Sequence, residues 1–400
     1  MPRSLLSLVW LLSVVAASAI AACGPAPAPH GPPAPSNTTP PAVDEPLAPL
    51  AGPVRVGVVL PMTGAQGAFG VSTEAGIRLA IRERNDAGGV RGARLELVVL
   101  DTMGTPAGVG EAVTRLIEQE HVVAILGEVT SGATLAAAEI AQARGVPLIT
   151  PSATSASVTE VGDRIFRACF VDEAQGRAMA RFARDELHVA RAAILADTST
   201  LYPVALAAAF TTEFAAGGGT IVLADAYQGG AIAPSVIGRI AAAKVDAVYL
   251  PGYYPDAAQI AIELRKLGSR AVLLGGDGWD SPELGAIAGA AIDGAYFTNH
   301  FAIDDPREIT RSFAKRYAGV RGTPPDGLAA LGYDAALVLL DALERTPDLD
   351  GAALAAAISV TSVEGVTGHI DLRAGRDPAK PVHVLELKAL LPHFAASISP

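Results

Sequence analysis

From Val54 onward the sequence alternates between short, continuously apolar runs and longer amphipathic segments. This alternation constrains the fold more than any other feature. The apolar runs predict strands at 54–60, 95–101, 122–126, 148–150, 191–196, 220–224, 247–250, 271–274, 295–298 and 382–387. The 3.6-residue pattern predicts helices at 72–85, 108–120, 133–144, 175–186, 203–216, 234–243 and 256–267. Strands without polar alternation, separated by helices, belong to parallel sheets covered on both faces. There are too many strands for one comfortable sheet, so the expected fold is α/β with two doubly wound, Rossmann-like lobes. Helical patterns at 306–319 and 332–346, then an expected strand pair at 369–372 and 382–387, complete both lobes. Lobe 1 is expected to comprise 54–171 and 299–362, and lobe 2 172–298 and 363–400. Their multi-crossing connection is a hinge, with a ligand cleft between the lobes.

The region before Val54 cannot join this core. Met1-Pro2-Arg3 is a short basic start, and residues 5–22 are almost continuously apolar. Ile20-Ala21-Ala22-Cys23 follows. This order reads as a secretory signal over 1–22, and the tetrapeptide resembles a bacterial lipobox. That resemblance implies that Cys23 is the lipidated first residue of the mature chain. An uncleaved membrane anchor is the alternative, since the run approaches spanning length. Residues 24–53 carry eleven prolines, so 23–53 is expected to be a lipidated, semi-extended tether. Both alternatives put the body outside the cytoplasm. With Cys23 committed to lipid, only Cys169 remains, and an intramolecular disulfide is excluded. Cys169 lies in an alternating, strand-like stretch and is expected to be a buried filler.

The net charge of −11 over 400 residues offers no basic footprint for nucleic acid. The stretch 60–70, L-P-M-T-G-A-Q-G-A-F-G, links a strand to a helix as a phosphate-binding loop would. Its glycines at 64, 67 and 70 are spaced G-x-x-G-x-x-G, however, not G-x-G-x-x-G, and no Lys-Ser/Thr follows. Asp101, at the end of the next strand, keeps a nucleotide-dependent enzyme in play as an alternative. The seven histidines are scattered, no metal-ligand spacing appears, and no cofactor is implied. Thr130-Ser131-Gly132 has no nearby base, so no catalytic constellation is expected.

The loops expected at the carboxyl ends of the strands carry polar groups suited to a small ligand. Thr130 and Ser131 open one helix, and hydroxyls at 150, 152, 154 and 155 follow the next strand. Hydroxyls and helix-start N–H groups suit a carboxylate; plain helix capping is the competing explanation. In the second half, Asp277 stands among glycines beside Trp279, where it can grip a cation, while Asp280 or Ser281 is better placed to cap the next helix.

Taken in order, V-G-V-V-L-P-M-T-G-A-Q-G-A-F-G (56–70), N-D-A-G-G-V-R-G-A-R-L-E-L (85–97) and I-T-P-S-A-T-S (149–155) resemble type I periplasmic binding proteins. So do G-Y-Y-P-D-A-A-Q-I (252–260), G-G-D-G-W-D-S-P-E-L (275–284) and D-P-A-K-P (377–381). The leucine/isoleucine/valine-binding branch is the most similar. The resemblance implies a zwitterionic amino acid held between the lobes. Its carboxylate would meet Ser131 and the backbone near Thr154, with Tyr253 joining on closure. Its ammonium would meet Asp277, the Thr154 hydroxyl and the Ser152 carbonyl. Phe69 and Tyr202, with Trp279, would line the side-chain pocket. Asp277 stands where that branch usually has Glu, and Phe69 where Tyr is common, so the ligand need not be a branched-chain amino acid. The expected function is that of a lipid-anchored, monomeric, extracytoplasmic substrate-binding component of an ABC importer, delivering an amino acid or related amide to a membrane permease without chemistry of its own. A ligand-sensing receptor module is the alternative.

Overall fold

The computed structural model describes residues 47–399. The expected signal peptide, Cys23 and most of the tether lie outside the described residues.

The first lobe opens with β1 (Val54–Leu60), α1 (Gly67–Asp86), β2 (Leu95–Asp101), α2 (Pro106–Glu118), β3 (Ala124–Gly127) and α3 (Ser131–Arg144). It continues with β4 (Leu148–Thr150), α4 (Ser157–Glu160) and β5 (Ile165–Arg167). The second lobe holds α5 (Asp172–Asp185), β6 (Arg191–Asp197), α6 (Leu201–Ala216), β7 (Thr220–Tyr227), α7 (Pro234–Ala242) and β8 (Ala247–Tyr249). Then come α8 (Tyr254–Lys266), β9 (Val272–Gly275), α9 (Pro282–Ala288) and β10 (Tyr296–Asn299). The chain returns through α10 (Glu308–Arg321), α11 (Gly327–Arg345), α12 (Gly351–Ser359), β11 (Ser362–Gly365) and β12 (Gly368–Asp371). It ends in β13 (Val382–Lys388) and β14 (Leu391–Ile398).

The first sheet has the order β2-β1-β3-β4-β5, every pair parallel. The second runs β14-β13-β10-β9-β8-β6-β7, parallel from β7 to β10 and antiparallel at β13 and β14. Its parallel part repeats the winding of the first. Burial explains the apolar runs: β3, β8 and most of β1 are covered on both faces, whereas the outer strand β7 alternates between exposed and half-buried positions.

In this winding the strand order reverses between β1 and β3, and again between β6 and β8. Open α/β sheets bind ligands in the crevice at such a reversal, beyond the carboxyl ends of the strands. The chain crosses between the lobes through 168–171, 300–307 and 372–381. The third crossing is pinned to the first. Lys380 Nζ, buried, donates to the Ala168 carbonyl (2.9 Å) and to the Thr367 hydroxyl, and Arg167 Nε lies 2.6 Å from Asp377 Oδ1. The D-P-A-K-P motif is therefore a hinge strap.

Helix α11 packs on α1 with glycines at the contact. A Cβ on Gly76 would lie 1.9 Å from the Ala329 carbonyl oxygen, and one on Gly332 would lie 2.3 Å from that of Thr73. This close approach brings the first turns of both helices to the cleft.

Several expectations shift. Helix α1 begins at Gly67, not 72, because glycines at 67 and 70, weak helix formers, mask its first turn. Phe69 is thus a helical residue. Helix α11 begins five residues earlier than expected, after Pro324-Pro325, with Asp326 as N-cap accepting from Ala329 N–H at 2.9 Å. The expected pairing of 369–372 with 382–387 does not form: β12 pairs with β11, and β13 lies between β10 and β14. The intervening hinge strap, with Pro378 and Pro381, carries the chain away before it could fold back. The β11–β12 hairpin is held to α11 by Asp334, which accepts from Val366 N–H (2.7 Å) and Thr367 N–H (2.9 Å), so the return to the second sheet comes after this hairpin. Cys169 is free and buried, and burial pushes its thiol up to about 12, as suits an inert filler.

Candidate functional site

Four loops follow strands at the two reversal points, and two more follow the neighbouring strands β4 and β9. From the first lobe, the turn after β1 leads to Phe69, the turn after β3 to Ser131, and the turn after β4 to Ser152 and Thr154. From the second, the turn after β6 leads to Tyr202, that after β8 to Tyr253, and that after β9 to Asp277. These seven side chains line one cavity together with Val129, Gly278, Asn299, His300, Leu328 and Leu331. Trp279 is the exception among the expected residues. It is 1% exposed, its indole N–H donates to the Leu250 carbonyl at 3.2 Å, and it faces another cavity. In the short 3₁₀ turn over Asp277–Trp279, residues two apart point in different directions, so Asp277 and Trp279 cannot share the cleft.

The first-lobe wall is built from hydroxyls and a helix start. Thr130 holds the N-cap position of α3 but makes no side-chain cap bond. Plain capping therefore does not account for these hydroxyls. Instead Glu128, buried, accepts from the N–H groups of Val129 (2.8 Å) and Thr130 (3.1 Å) and from the Thr102 hydroxyl (2.7 Å). Burial nonetheless pushes its carboxyl up from the ordinary range. The Ser131 hydroxyl accepts from Ser155 N–H at 3.3 Å, and the Ser152 hydroxyl donates to the Val129 carbonyl at 3.0 Å. These bonds tie the turns after β3 and β4 into one rigid edge.

The second-lobe wall is carboxyl and phenol. Asp277 Oδ1 accepts from the Tyr202 hydroxyl at 2.7 Å, and Oδ2 lies 3.0 Å from His300 Nε2. Its backbone N–H donates to Gln175 Oε1 at 2.8 Å. Asp277 is therefore oriented from three sides. Ser281, not Asp277, caps α9, accepting from Glu283 N–H at 3.2 Å. The His300 ring stacks on Phe170 at 3.6 Å, and burial lowers its basicity. Gly278 is required here: a Cβ would stand 2.6 Å from the Gly252 carbonyl oxygen and 3.1 Å from the Tyr202 ring.

Contacts across the cleft are aromatic and polar. Phe69 meets Tyr253 and Tyr254 edge-on at 6.2 and 5.3 Å, while Tyr253 stacks on Tyr202 of its own lobe at 5.1 Å. The Tyr254 hydroxyl donates to the Ala65 carbonyl at 2.9 Å, and the Ser131 N–H faces the Tyr253 hydroxyl. Beside the cavity, Asp280 accepts from Gly327 N–H at 2.6 Å, and burial with Asp326 nearby pushes its carboxyl up to about 7. The cavity itself measures about 20 Å³, roughly the room one water needs. A larger molecule would enter only as the lobes or these side chains part.

The loop 60–70 is no phosphate cradle. Asp101, which kept the nucleotide alternative in play, is spent on shaping it: Oδ1 accepts from the N–H groups of Met62 (2.9 Å) and Met103 (2.7 Å), and Oδ2 accepts from the Thr63 hydroxyl (2.7 Å). Gly70 is required for packing, since a Cβ would fall 2.2 Å from the Pro61 carbonyl oxygen. Among the described residues no cluster of three or more His, Cys, Asp or Glu is arranged to hold a metal.

Glu128, Asn299, His300, Leu328 and Leu331 were not singled out from the sequence. Glu128 carried a usable signal, an acid between a strand end and a helix start. The others reach the cleft from chain crossings and from α11, whose placement no local pattern gives.

A family model described as periplasmic binding protein matches residues 53–389. The Leu/Ile/Val-binding protein BraC3 of Rhizobium johnstonii is 31% identical over 309 residues, covering 76% of this chain and 83% of that one. The crystal structure of a leucine-binding protein LivK from Thermotoga maritima superposes with a TM-score of 0.82 at 36% identity, covering 87% of this chain and 99% of that one. The branched-chain amino acid transporter substrate-binding protein LivJ of Streptococcus pneumoniae, solved with isoleucine, gives a TM-score of 0.81 at 26% identity, covering 87% of this chain and all of that one.

Proposed function

This chain belongs to the periplasmic binding proteins, a family of extracytoplasmic solute-binding proteins and not of enzymes, and from that premise we propose that it captures an amino acid for an ABC importer. The observation that carries this reading is the opposition of two walls. Ser131, Ser152 and Thr154, at a helix start, face Asp277, Tyr202 and Tyr253 across one cleft. One wall suits a carboxylate and the other an ammonium, 48 or more residues apart in sequence but adjacent in the fold.

Burying a zwitterion costs several kcal/mol per charge unless each end is paired. Donors on one lobe and an acceptor on the other satisfy both ends only when the lobes close on the ligand. The ligand then shifts the population toward the closed form through contacts that the open form lacks. Phe69, Leu328 and Leu331 offer an apolar surface for its side chain, while Asn299 and His300 offer polar groups. This mixture supports a medium-sized amino acid or a related amide. We assign delivery to a membrane permease, a lipid anchor at Cys23, and a monomeric body to the same reading. The ordering of apolar signal, cysteine and proline-rich tether supports the anchor.

Isothermal calorimetry against the standard amino acids, their amides and small carboxylates tests the reading. One tight amino-acid ligand is expected, raising thermal stability with the logarithm of its concentration relative to Kd. Silence across the whole panel overturns it. Mass spectrometry of the mature N-terminal peptide should show a lipid-modified Cys23; an unmodified chain beginning elsewhere removes the anchor.

A further inference from the structure

Trp279, buried and turned away from the cleft, lines a second cavity of about 360 Å³, a size typical of small-molecule sites. Both lobes build it. The second lobe contributes Trp279, Asp280, α9, β10 and the β13–β14 hairpin; the first contributes residues 324–327 at the start of α11. Asn299 lines this cavity and the cleft alike.

Most of the lining is apolar. Phe297, Phe301, Leu385 and Leu387 are buried around it, while Ile303, Leu390 and Leu391 stand exposed to water. Leu390 is held there at a cost. The two-residue turn between β13 and β14 is Ala389-Leu390, both in the left-handed region (φ 50° and 68°), where such turns favour Asn and Gly. Leu390 packs over α9 at Gly285, where a Cβ would stand 3.1 Å from its own Cβ. An apolar molecule seated in the cavity would cover these side chains and gain by removing them from water.

The polar end of the cavity is acidic. Its three charged side chains are Asp280, Asp304 and Asp326. Asp304 is occupied by the Phe394 N–H at 3.0 Å. Asp280 and Asp326 meet from opposite lobes: Asp280 Oδ2 accepts from Gly327 N–H at 2.6 Å, and Asp326 Oδ1 accepts from Ala329 N–H at 2.9 Å and from the Ser72 hydroxyl. A Cβ on Gly327 would fall 2.5 Å from Asp280 Oδ2, so glycine is what lets the two strands of chain close up. No cation among the described residues pairs with either carboxyl. Two buried acids this close do not both ionise freely; one retained proton leaves the pair a single negative charge. Burial pushes both carboxyls up, and Asp326 adds to the push on Asp280. One negative charge beside the faces of Trp279, Phe297 and Phe301 suits a monovalent ammonium carrying an apolar body.

We propose that this interlobe cavity binds a small apolar amine, its ammonium at the Asp280–Asp326 pair and its body along Trp279, Phe297 and Phe301, and that its occupant strengthens amino-acid capture. The first part stands apart from the amino-acid reading above; the second rests on it. An occupant that touches both lobes finds its full set of contacts only when they are together. It therefore shifts the population toward the closed form, as the amino acid does, and each of the two raises the affinity for the other.

Titration calorimetry on the whole mature protein tests this with 3-phenylpropan-1-amine, and with 3-phenylpropan-1-ol as the uncharged control. The amine should bind saturably and at least about tenfold more tightly than the alcohol. Asp280→Asn keeps an acceptor for Gly327 N–H and should erase that preference. Ala286→Trp, placed on the exposed side of α9, should fill the cavity and abolish amine binding while leaving amino-acid binding unchanged. With the amine present, the standard amino acid that the wild type holds most tightly should bind severalfold tighter. An amine that binds no better than the alcohol, that binds wild type and Ala286→Trp equally, or that competes with the amino acid overturns the site. Amine bound with amino-acid affinity unaltered overturns the effector role. Amine bound by a wild type that takes no standard amino acid overturns the amino-acid reading and leaves the amine site standing. Should Asp280→Asn fail to fold, Ala286→Trp and the alcohol decide.

Discussion

The two lobes share a winding, 2-1-3-4-5 in each parallel sheet, and place equivalent turns at the cleft. Their chemistry there is opposite. The first lobe presents hydroxyls at the start of α3 and an acid, Glu128, turned inward onto backbone N–H groups. The second presents Asp277, and phenols that orient or shield it. A duplicated architecture therefore does not give a duplicated site. The fold supplies two helix-start edges, and the side chains make one of them a donor wall and the other an acceptor wall. A dipolar ligand fits between such walls in one orientation only, which is how a shallow pair of loops acquires specificity.

The contrast is most directly broken on the acceptor side. Asp277→Ala removes the acid and strands the Tyr202 hydroxyl and His300 Nε2. Amino-acid affinity should fall by about 2–5 kcal/mol, read by calorimetry. An unchanged affinity would move the cation away from this wall. On the donor side, Ser131→Ala should cost about 1.5–3 kcal/mol of binding, the range for a hydrogen bond to a charged group, with the melting temperature little altered. A larger loss here than at Asp277 would invert the assignment of walls.

The lobes should also differ in response to acid. His383, on β13 of the second sheet, is mostly buried with neither ring nitrogen partnered, and burial pushes it down to about 4. Its folded value lies below the ordinary 6.5, so the unfolded chain takes up a proton first as pH falls from 6.5 toward 4. Stability is then lost over that window, about 1–2 kcal/mol by pH 5. His383→Phe should flatten this loss in pH-dependent denaturant titrations; an unchanged slope would place the acid sensitivity elsewhere. The smallest effect is expected at the cleft rim. Tyr254→Phe removes the bond to the Ala65 carbonyl that joins the lobes and should weaken ligand binding by about 0.5–1.5 kcal/mol. No change in affinity or in the rate of closure, followed through Trp279 fluorescence, would show that this contact does not hold the closed form.

Legibility followed the range of the interactions. Strands and helices were readable because the periodic patterns that form them are local, and Phe69, Ser131, Ser152, Thr154, Tyr202, Tyr253 and Asp277 were readable because each closes a strand–turn–helix motif. Trp279 misled because an aromatic beside an acid is a fair sign of a site, and only the tight turn over Asp277–Trp279 shows the indole turned inward. Asp101 kept a nucleotide alternative open although the glycine spacing of 60–70 spoke against it, since shaping a loop and binding a phosphate draw on the same residue types. The pairing of β13 with β14 was hidden, because β14 is an outer strand, mostly exposed, with little apolar periodicity.

By itself, the sequence determined the alternation of strands and helices, hence two parallel sheets, and the residue types offered at each strand end. Tertiary structure alone decided which of those offers meet. The bond from Tyr202 to Asp277 spans 75 residues, and the approach of His300 to Asp277 spans 23. Local patterns record what a residue can do with its nearest few along the chain. Whether a buried charge has a partner depends on groups that only folding brings within about 4 Å.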